Sequence, residues 1–413
     1  MNRYRPGDIN LASQEDMETI GEAPWDYLEV LRRESPVFWN PPPEHHRLEI
    51  PVAGFWVLSR YEDVAAASKD PKMFSAHENS VLWADVKQQP MALEGQRAGL
   101  MGMDPPQHTQ YRRLVQPEFT PRRIAALEPW IREQAREVIA ELAQQDTAEF
   151  VFDVAANLPM ILLCHMMGVP QERRNDYLRL GTDIANIEYA EEYQARMFEL
   201  IALLGEQINN AGNLDEHTML YRYLNGEVDG RSLEPAEVTM FFVTLSIAGH
   251  ETTRNSTVHF VRLMDEHPEQ KALLLEDLEG RLPNAIEEVL RYSPPVMQFC
   301  RTAMDTVDIR GQQIAKGDKV FMSYLSANRD EDIFDDPNRF DILRPNAADH
   351  LAFGIGPHYC LGANLARTQL RYILTELYTQ IPEIGLAGDW TPMNSVWFNA
   401  IAEMPIRTCP VPH

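Results

Sequence analysis

The sequence predicts a mainly α-helical protein with a minor β part. Apolar residues recur with a helical period over long segments, and strand-like patterns are confined to short stretches. The 29 prolines punctuate many short helices and do not mark a single boundary. With 44% hydrophobic residues, the 413-residue chain can bury a sizeable core. It contains no internal repeat or Gly/Ser linker, so we expect one domain over residues 1–413.

The N-terminal part is predicted to alternate short elements with loops. Helices are expected over 24–34 and 61–69, and between them "RLEIPVAGFWVLSR" (47–60) is typical of a β-hairpin with Gly54 near its turn. Residues 75–105 have no sustained period, and a loop of that length is usually functional. From 121 onwards one helical face is apolar, and further helices are expected over 150–168, 171–187 and 191–210.

The central prediction is one very long helix from Pro235 to about His267. About 30 residues at 1.5 Å each span roughly 45 Å, the width of a domain. A helix over 283–293 would end at the following prolines.

The C-terminal part is predicted to be mixed. Strands are expected within 305–322, an irregular stretch over 328–349, a helix over 361–380, and a hairpin in "SVWFNAIAEMPIR" (395–407).

Charge and cysteine content narrow the class of protein. A net charge of −25 disfavours nucleic acid and anionic membranes as partners. The four cysteines are far apart and form no CxxC, so a disulfide framework is not expected. The N-terminus lacks the apolar core of a signal peptide, and the stretch "MFFVTLSIAG" is too short to span a bilayer. We therefore expect a cytoplasmic protein without a membrane anchor.

The stretch "HLAFGIGPHYCLG" (350–362) places Cys360 within a frame of glycines, just before a predicted helix. Free N–H groups at a helix N-terminus favour an anion and lower the pKa of a thiol. Gly354, Gly356 and Gly362 let the backbone wrap close to the sulfur. The frame therefore suits a thiolate shielded from solvent.

Three interpretations of Cys360 are open on these grounds. It is a structural buried cysteine, a nucleophile with His358 as its base, or an axial haem ligand in an amide-lined loop. Side chains two residues apart rarely pair well, which weighs against the nucleophile. A dinucleotide-binding turn does not fit, because Gly354 and Gly356 lack a third glycine at the required spacing.

The segment "FGIGPHYCLG" resembles the haem-binding signature of the cytochrome P-450 family: Phe, two glycines, a basic residue, Cys and Gly. The resemblance implies the P-450 fold and haem b (iron protoporphyrin IX) as cofactor, with Cys360 as the proximal iron ligand. It also implies that Phe353 and Gly354 belong to the haem-binding loop, with Phe353 near the sulfur. His358 would contact a haem propionate, where family members often carry Arg.

Other segments agree with the resemblance. In "DPPQHTQYRR" (104–113), His108 and Arg112 lie four residues apart on one helical face. A solvated basic face is the alternative interpretation. The resemblance implies that both bind haem propionates, and that Arg301 in "FCRTA" does so as well.

The segment "EEVLRY" (287–292) places Glu288 and Arg291 three residues apart. A surface ion pair is the plain interpretation. The resemblance implies a buried pair completed by Arg339 in "DPNRF", because buried charges must be mutually satisfied.

The long helix contains "AGHETTRNS" (248–256), which is not a zinc-binding HExxH because the fifth residue is Arg254. Gly249 and the threonine hydroxyls weaken or bend a helix, although an ordinary buried helix also tolerates them. The resemblance implies an acid–alcohol pair at an opening that admits O2 and water. Thr252 would orient the proton network and Glu251 would feed it from the other side, because adjacent helical residues point about 100° apart.

The resemblance, carried by motifs over 104–362, implies a monooxygenase that inserts one atom of O2 into a C–H bond. The chain has too few cysteines for a ferredoxin module. We therefore expect electrons from a separate ferredoxin and an NAD(P)H-dependent ferredoxin reductase. A local basic patch is a candidate docking surface: Arg112, Arg113, Arg122 and Arg123.

The resemblance also indicates a substrate pocket of mainly apolar residues, for which core packing is the alternative: Leu245, Ala248, Val296, Met297, Trp397 and Phe398. Without an Arg or Lys anchor for a carboxylate, we expect an apolar substrate such as a terpenoid, steroid or other lipid. Three other functions are open: a peroxide-using haem-thiolate enzyme, a non-catalytic haem sensor or electron carrier, and a cysteine hydrolase.

Overall fold

The computed structural model describes residues 4–20, 23–44, 51–186, 193–210, 215–216, 218–395 and 397–408. Its helices, numbered in chain order, are α1 (Gln14–Ile20), α2 (Trp25–Glu34), α3 (Tyr61–Lys69), α4 (Pro90–Ala98), α5 (Gln107–Val115), α6 (Pro121–Leu142), α7 (Asn157–Met167), α8 (Arg174–Ala185), α9 (Tyr193–Asn209), α10 (Met219–Leu224), α11 (Pro235–Glu266), α12 (Pro268–Glu276), α13 (Leu278–Tyr292), α14 (Tyr324–Ala327) and α15 (Ala363–Gln380). The mainly helical class is confirmed.

The strands are short. They are β1 (Val37–Asn40), β2 (Phe55–Leu58), β3 (Phe74–Ser75), β4 (Thr147–Glu149), β5 (Glu227–Val228), β6 (Arg231–Ser232), β7 (Gln298–Ala303), β8 (Val307–Ile309), β9 (Gln312–Ile314), β10 (Lys319–Ser323), β11 (Gly385–Leu386), β12 (Thr391–Pro392), β13 (Ile401–Glu403) and β14 (Pro405–Arg407). The largest sheet has the order β1-β2-β10-β7-β3, with β2 and β10 parallel and the other neighbours antiparallel.

The long helix α11 is the centre of the fold. It has 32 residues, begins with a capping box between Glu234 and Glu237, and ends before His267, as the sequence predicts. It packs against α7, α8, α9, α13 and α15, and α15 in turn packs against α6. Nearly its whole middle is buried, so the motif at 248–256 lies inside the protein. None of the helices in the described ranges is long and apolar enough to cross a membrane.

The first predicted hairpin falls partly on residues 47–50, which lie outside the described ranges, and its other strand, β2, has β1 on one side and β10 on the other. The second predicted hairpin, over 395–407, is wrong in its pairing. At the C-terminus, β13 pairs with β12, whereas β14 pairs with β11 and β4. Only Met404 separates β13 from β14, and one residue cannot form a hairpin turn, so the chain passes from one sheet into another.

The predicted loop over 75–105 is partly helical, because it contains α4 and a 3₁₀ turn at 100–102. Helix α4 buries none of its residues. It therefore carries no apolar stripe, which is the pattern that identifies a helix in a sequence.

A buried charge cluster joins α13 to the irregular stretch after α14. The Glu288 carboxylate accepts hydrogen bonds from Arg291 at 2.7 and 2.8 Å and from Arg344 at 3.2 Å. The prediction of Arg339 as the third member is wrong. Its side chain is 63% exposed and pairs with Asp341, and only its carbonyl oxygen accepts from the two buried arginines. Spacing alone could not distinguish the two arginines.

We expect Arg344→Met to lower the free energy of unfolding by about 3–5 kcal/mol, because it leaves a buried carboxylate with less compensation. The matched variant Arg339→Met loses only an exposed ion pair and should cost less than about 1 kcal/mol. Urea unfolding of both variants measures the difference. Equal losses would contradict this assignment.

Candidate active site

A large cavity lies between α11, α15 and the segment that carries Cys360. It comprises about 1710 Å³ of empty space, including the part open to solvent. One wall is the loop over 353–362, and the opposite wall is the middle of α11. Apolar side chains form much of the remainder, among them Met101, Leu163, Phe241, Leu245, Val296 and Phe299.

Backbone contacts hold the loop around Cys360 in one conformation. The Cys360 amide donates to the Phe353 carbonyl oxygen at 2.8 Å, which closes the loop. Gly354 and Gly356 have φ values of +66° and +78°, a backbone conformation that residues with a side chain rarely adopt. A Cβ on Gly356 would lie 2.5 Å from the Ser68 carbonyl oxygen at the end of α3. The glycines therefore serve the loop's turns and its close approach to α3.

The glycine frame does not by itself favour a thiolate. Burial raises the pKa of the Cys360 thiol, and this outweighs the opposing effects of the Gly362 amide and Arg112. Helix α15 begins three residues beyond the cysteine, so its N-terminus contributes less than the sequence suggests. In the protein without haem, burial is therefore the dominant effect on this thiol, and a metal cation bound to the sulfur would favour the thiolate.

A set of side chains supports the loop from behind, and sequence analysis missed it. The Arg367 guanidinium lies 4.4 Å from the centroid of the Phe353 ring. Glu287 accepts two hydrogen bonds of 2.7 Å from Arg367 and lies 3.1 Å from His350 Nε2. Glu287 stands next to the recognised Glu288 in the sequence, but nothing in the spacing indicates its distant partners.

His108 and His358 lie together in the cavity wall, with ring centroids 4.2 Å apart. Burial and Arg112 lower the pKa of His108 to about 4, and burial and Arg301 lower the pKa of His358 well below its usual value. Both rings are therefore neutral at pH 7. His358 Nε2 is buried without a hydrogen-bond partner. This packing does not support His358 as a base for Cys360.

Two arginines in the same wall have no anion of their own. Arg301 donates to the Cys300 carbonyl oxygen at 2.7 Å and Arg112 to the Pro357 carbonyl oxygen at 3.5 Å. Within the described ranges, neither guanidinium forms an ion pair with a carboxylate. Buried cations normally have such partners. The two guanidinium groups in this wall are therefore suited to bind an anionic ligand.

These residues fit a haem. A thiol lies in one wall, cationic and hydrogen-bonding groups without an anion lie beside it, and apolar surface surrounds the remainder. We expect Cys360 to hold the iron, and Arg112, Arg301, His108 and His358 to hold the two propionates.

On the opposite wall, Thr252 and its neighbour Thr253 line the cavity. The Thr252 hydroxyl donates to the Ala248 carbonyl oxygen at 2.9 Å, so it competes with the helix's own hydrogen bonds. Gly249, which lies between Ala248 and Thr252 in the sequence, also lines the cavity and has no side chain. The helix is thus locally polar where it faces the cavity.

Glu251 is not part of the described cavity lining. Its carboxylate is fully buried, 2.5 Å from Arg254 Nη2, 3.0 Å from Thr182 Oγ1 and 2.9 Å from His250 Nε2. Burial alone would raise the pKa of Glu251, but Arg254 and His250 outweigh it and lower the pKa to about 2. To pass a proton, Glu251 would first have to leave Arg254. Its catalytic role stays a prediction.

The six predicted pocket residues separate into two groups. Leu245, Ala248 and Val296 line the cavity. Met297 and Phe398 instead line a second cavity, and Trp397 packs on Phe398 with ring centroids 4.2 Å apart. Consecutive residues of an extended segment point to opposite faces, so Val296 and Met297 cannot both face the haem side.

Comparisons with known proteins find related sequences over nearly the whole chain. The family model for cytochrome P-450 matches residues 187–379. A steroid C26-monooxygenase of Rhodococcus jostii is 35% identical over 402 residues, covering 94% of this chain and 84% of that protein. A methyl-branched lipid omega-hydroxylase of Mycobacterium tuberculosis is 33% identical over 393 residues, covering 91% and 89% respectively.

A solved structure is also similar over nearly the whole chain. It is a cytochrome P-450 of Mycobacterium marinum in complex with pseudoionone, with a TM-score of 0.88 and 33% identity, and the match covers 98% of this chain and 100% of that one. The chain therefore belongs to the cytochrome P-450 family and is a haem-thiolate monooxygenase with haem b as its cofactor.

Proposed function

We propose that this monooxygenase hydroxylates a terminal or branch methyl carbon of an apolar lipid, such as a steroid side chain or a methyl-branched chain. The observation that carries the proposal is the distribution of charge in the cavity. Among its described lining residues, the only Asp, Glu, Lys or Arg side chains are Arg112 and Arg301, both assigned to the propionates. A substrate carboxylate would find no other cation there. The names of the two relatives point to the same class of substrate.

The residues divide the work by position. When bound, the haem supplies the activation of O2 and the insertion of one oxygen atom into a C–H bond, with the other atom released as water. Cys360 would hold the iron from the loop side. Thr252 would hold a proton at its Oγ1 on the opposite side. The apolar walls would orient the substrate and exclude water from the reacting carbon.

The assignment of Cys360 as iron ligand has a direct spectroscopic test. We expect the reduced protein to show a strongly red-shifted Soret band with carbon monoxide, and Cys360→Ala to lose it. Cys300→Ala, which removes a fully buried cysteine elsewhere, should keep the band. A Soret band typical of histidine ligation in the unaltered protein would contradict the assignment.

The role of Thr252 separates the monooxygenase from its alternatives. We expect Thr252→Ala to lower the product formed per O2 consumed by at least about tenfold, because a positioned proton donor is lost. Substrate affinity should be unchanged, and Thr252→Ser should largely retain the coupling. The measurement is oxygen uptake together with product. A peroxide-using enzyme would be indifferent to the change, and a haem sensor would show no turnover in any variant.

The substrate class can be tested with sterols that have or lack the branched side chain, which is the part of the substrate expected to reach the iron. We expect a sterol with a branched side chain to bind at least about tenfold more tightly than the same ring system without it, since each buried methylene contributes about 0.8 kcal/mol. Titration of the Soret band measures affinity, and mass spectrometry locates the new hydroxyl. Oxidation of the ring system would refute the proposal, as would equal affinity for the two sterols.

We further propose that the protein is cytoplasmic and that it receives electrons from a ferredoxin and an NAD(P)H-dependent ferredoxin reductase. The three cysteines in the described ranges are free, which suits a reducing compartment. Of the four arginines in the predicted docking patch, Arg112 faces the cavity and Arg123 pairs with Glu118 at 3.0 Å. Arg113 and Arg122 are exposed and form the remaining basic surface.

We expect Arg113→Glu to raise the ferredoxin concentration needed for half-maximal turnover about tenfold at low salt, with less effect at high salt. The control is Arg136→Glu, an exposed arginine near the other end of α6. An equal change in this ferredoxin concentration in both variants would contradict the proposed docking patch.

A further inference from the structure

A second cavity lies on the other side of the active-site wall. It comprises about 940 Å³ of empty space, including its open mouth. No described residue lines both cavities. Its walls come from the region of α1 and α2, the second half of α11, and the segment over 390–401. Three aromatic residues line it: Trp25, Trp390 and Phe398.

Four of the lining residues carry a buried polar atom that has no hydrogen-bond partner within the described part of the chain. The atoms are His259 Nδ1, Arg262 Nε, Asn394 Oδ1 and Asn399 Nδ2. Buried polar atoms are nearly always paired, so a group of them around one cavity calls for a specific occupant. Aromatic walls with a few polar groups are also the usual composition of a small-molecule site.

The hydrogen-bonding capacity of these atoms can be assigned. His259 Nε2 lies 2.9 Å from the Asn399 carbonyl oxygen, which only accepts, so Nε2 carries the proton. Burial and Arg262 lower the pKa of His259 to about 3, so the ring is neutral and Nδ1 is an acceptor. The Asn394 amide nitrogen donates to Glu18, which leaves its Oδ1 as a second acceptor.

The two remaining atoms, Arg262 Nε and Asn399 Nδ2, are donors. The charge of Arg262 is already balanced, because its Nη1 donates to both carboxylate oxygens of Glu266 at 3.0 and 2.8 Å. Among the described lining residues, an anionic ligand would therefore find no unbalanced cation, whereas a neutral group that both donates and accepts is matched.

We propose that the second cavity binds a neutral ring compound that carries a hydroxyl group. The hydroxyl would donate to one of the two acceptors described above and accept from the donors, and the ring would pack against Trp25, Trp390 and Phe398. The proposal rests on the cavity residues and not on the substrate proposed for the haem side.

The location gives such a ligand access to the active-site wall. Phe398, which lines the second cavity, forms an antiparallel bridge with Val296, which lines the first. The backbone N–H of Asn399 also donates to the carbonyl oxygen of Pro295, another residue that lines the active-site cavity, at 3.0 Å. The two cavities thus share one thin wall of paired backbone.

The test uses 2-naphthol as the probe and the haem-loaded protein, with a phenylimidazole bound to the iron so that the probe is kept out of the active site. Calorimetry should show one bound equivalent, and a crystal structure should place it against Trp390 and Phe398. We expect 2-naphthoate, which is anionic, and 2-methoxynaphthalene, which lacks a donor, to bind more weakly.

Asn399→Leu removes only a side chain that makes no hydrogen bond to any residue in the described ranges, so the fold should persist. We expect it to weaken 2-naphthol binding about threefold to tenfold, the loss of one hydrogen bond. The control is Asn255→Leu, a fully buried asparagine whose amide is also unpartnered and which lines neither cavity. The affinity of the Asn255→Leu variant for 2-naphthol should be unchanged.

Four results would each overturn the proposal. They are unchanged affinity in Asn399→Leu, equal affinity for 2-naphthoate, a structure with only water in the second cavity, and absence of any binding up to the solubility of 2-naphthol.

Discussion

The position of one sulfur atom constrains the rest of this structure. Cys360 can serve as an iron ligand only if its loop is held in one conformation. Its rigidity comes from the bond between the Cys360 amide and the Phe353 carbonyl oxygen, and from the close approach of Gly356 to the end of α3. Arg367, packed on Phe353 and held by Glu287, adds a third restraint.

The buried charge cluster extends this restraint to a larger scale. Arg291 bonds the carbonyl oxygens of Asn328 and Pro337 as well as Glu288. It therefore ties α13 to a long stretch that has almost no regular structure. Breaking a buried pair is costly because it leaves an uncompensated charge. Charge that is expensive to bury is used here to define an irregular backbone that apolar packing alone would leave undetermined.

Helix α11 separates functions by the direction of its side chains. Thr252 and Thr253 face the candidate active site, whereas Glu251 faces α8 and bonds Thr182. Two turns further on, His259 and Arg262 face the second cavity. One buried helix thus contributes to two cavities and an internal ion pair. Any shift of α11 along its axis would therefore change the geometry of all three.

The sequence by itself determined the helical class, the long helix and its ends, and the residues placed around the proposed haem. Those features depend on local spacing: helical period, the glycine frame of Cys360, and the four-residue step from His108 to Arg112. Only the tertiary structure decided which strands pair, because β2 pairs with β10 and β14 pairs with β4, both far away along the chain. It also decided that Arg344 and not Arg339 completes the Glu288 cluster, that Glu251 is ion-paired, and that Met297 and Phe398 face a different cavity from Val296. The physical reason is the same in each case: burial, partner and facing direction depend on chain segments that are distant in sequence, and no local pattern encodes them.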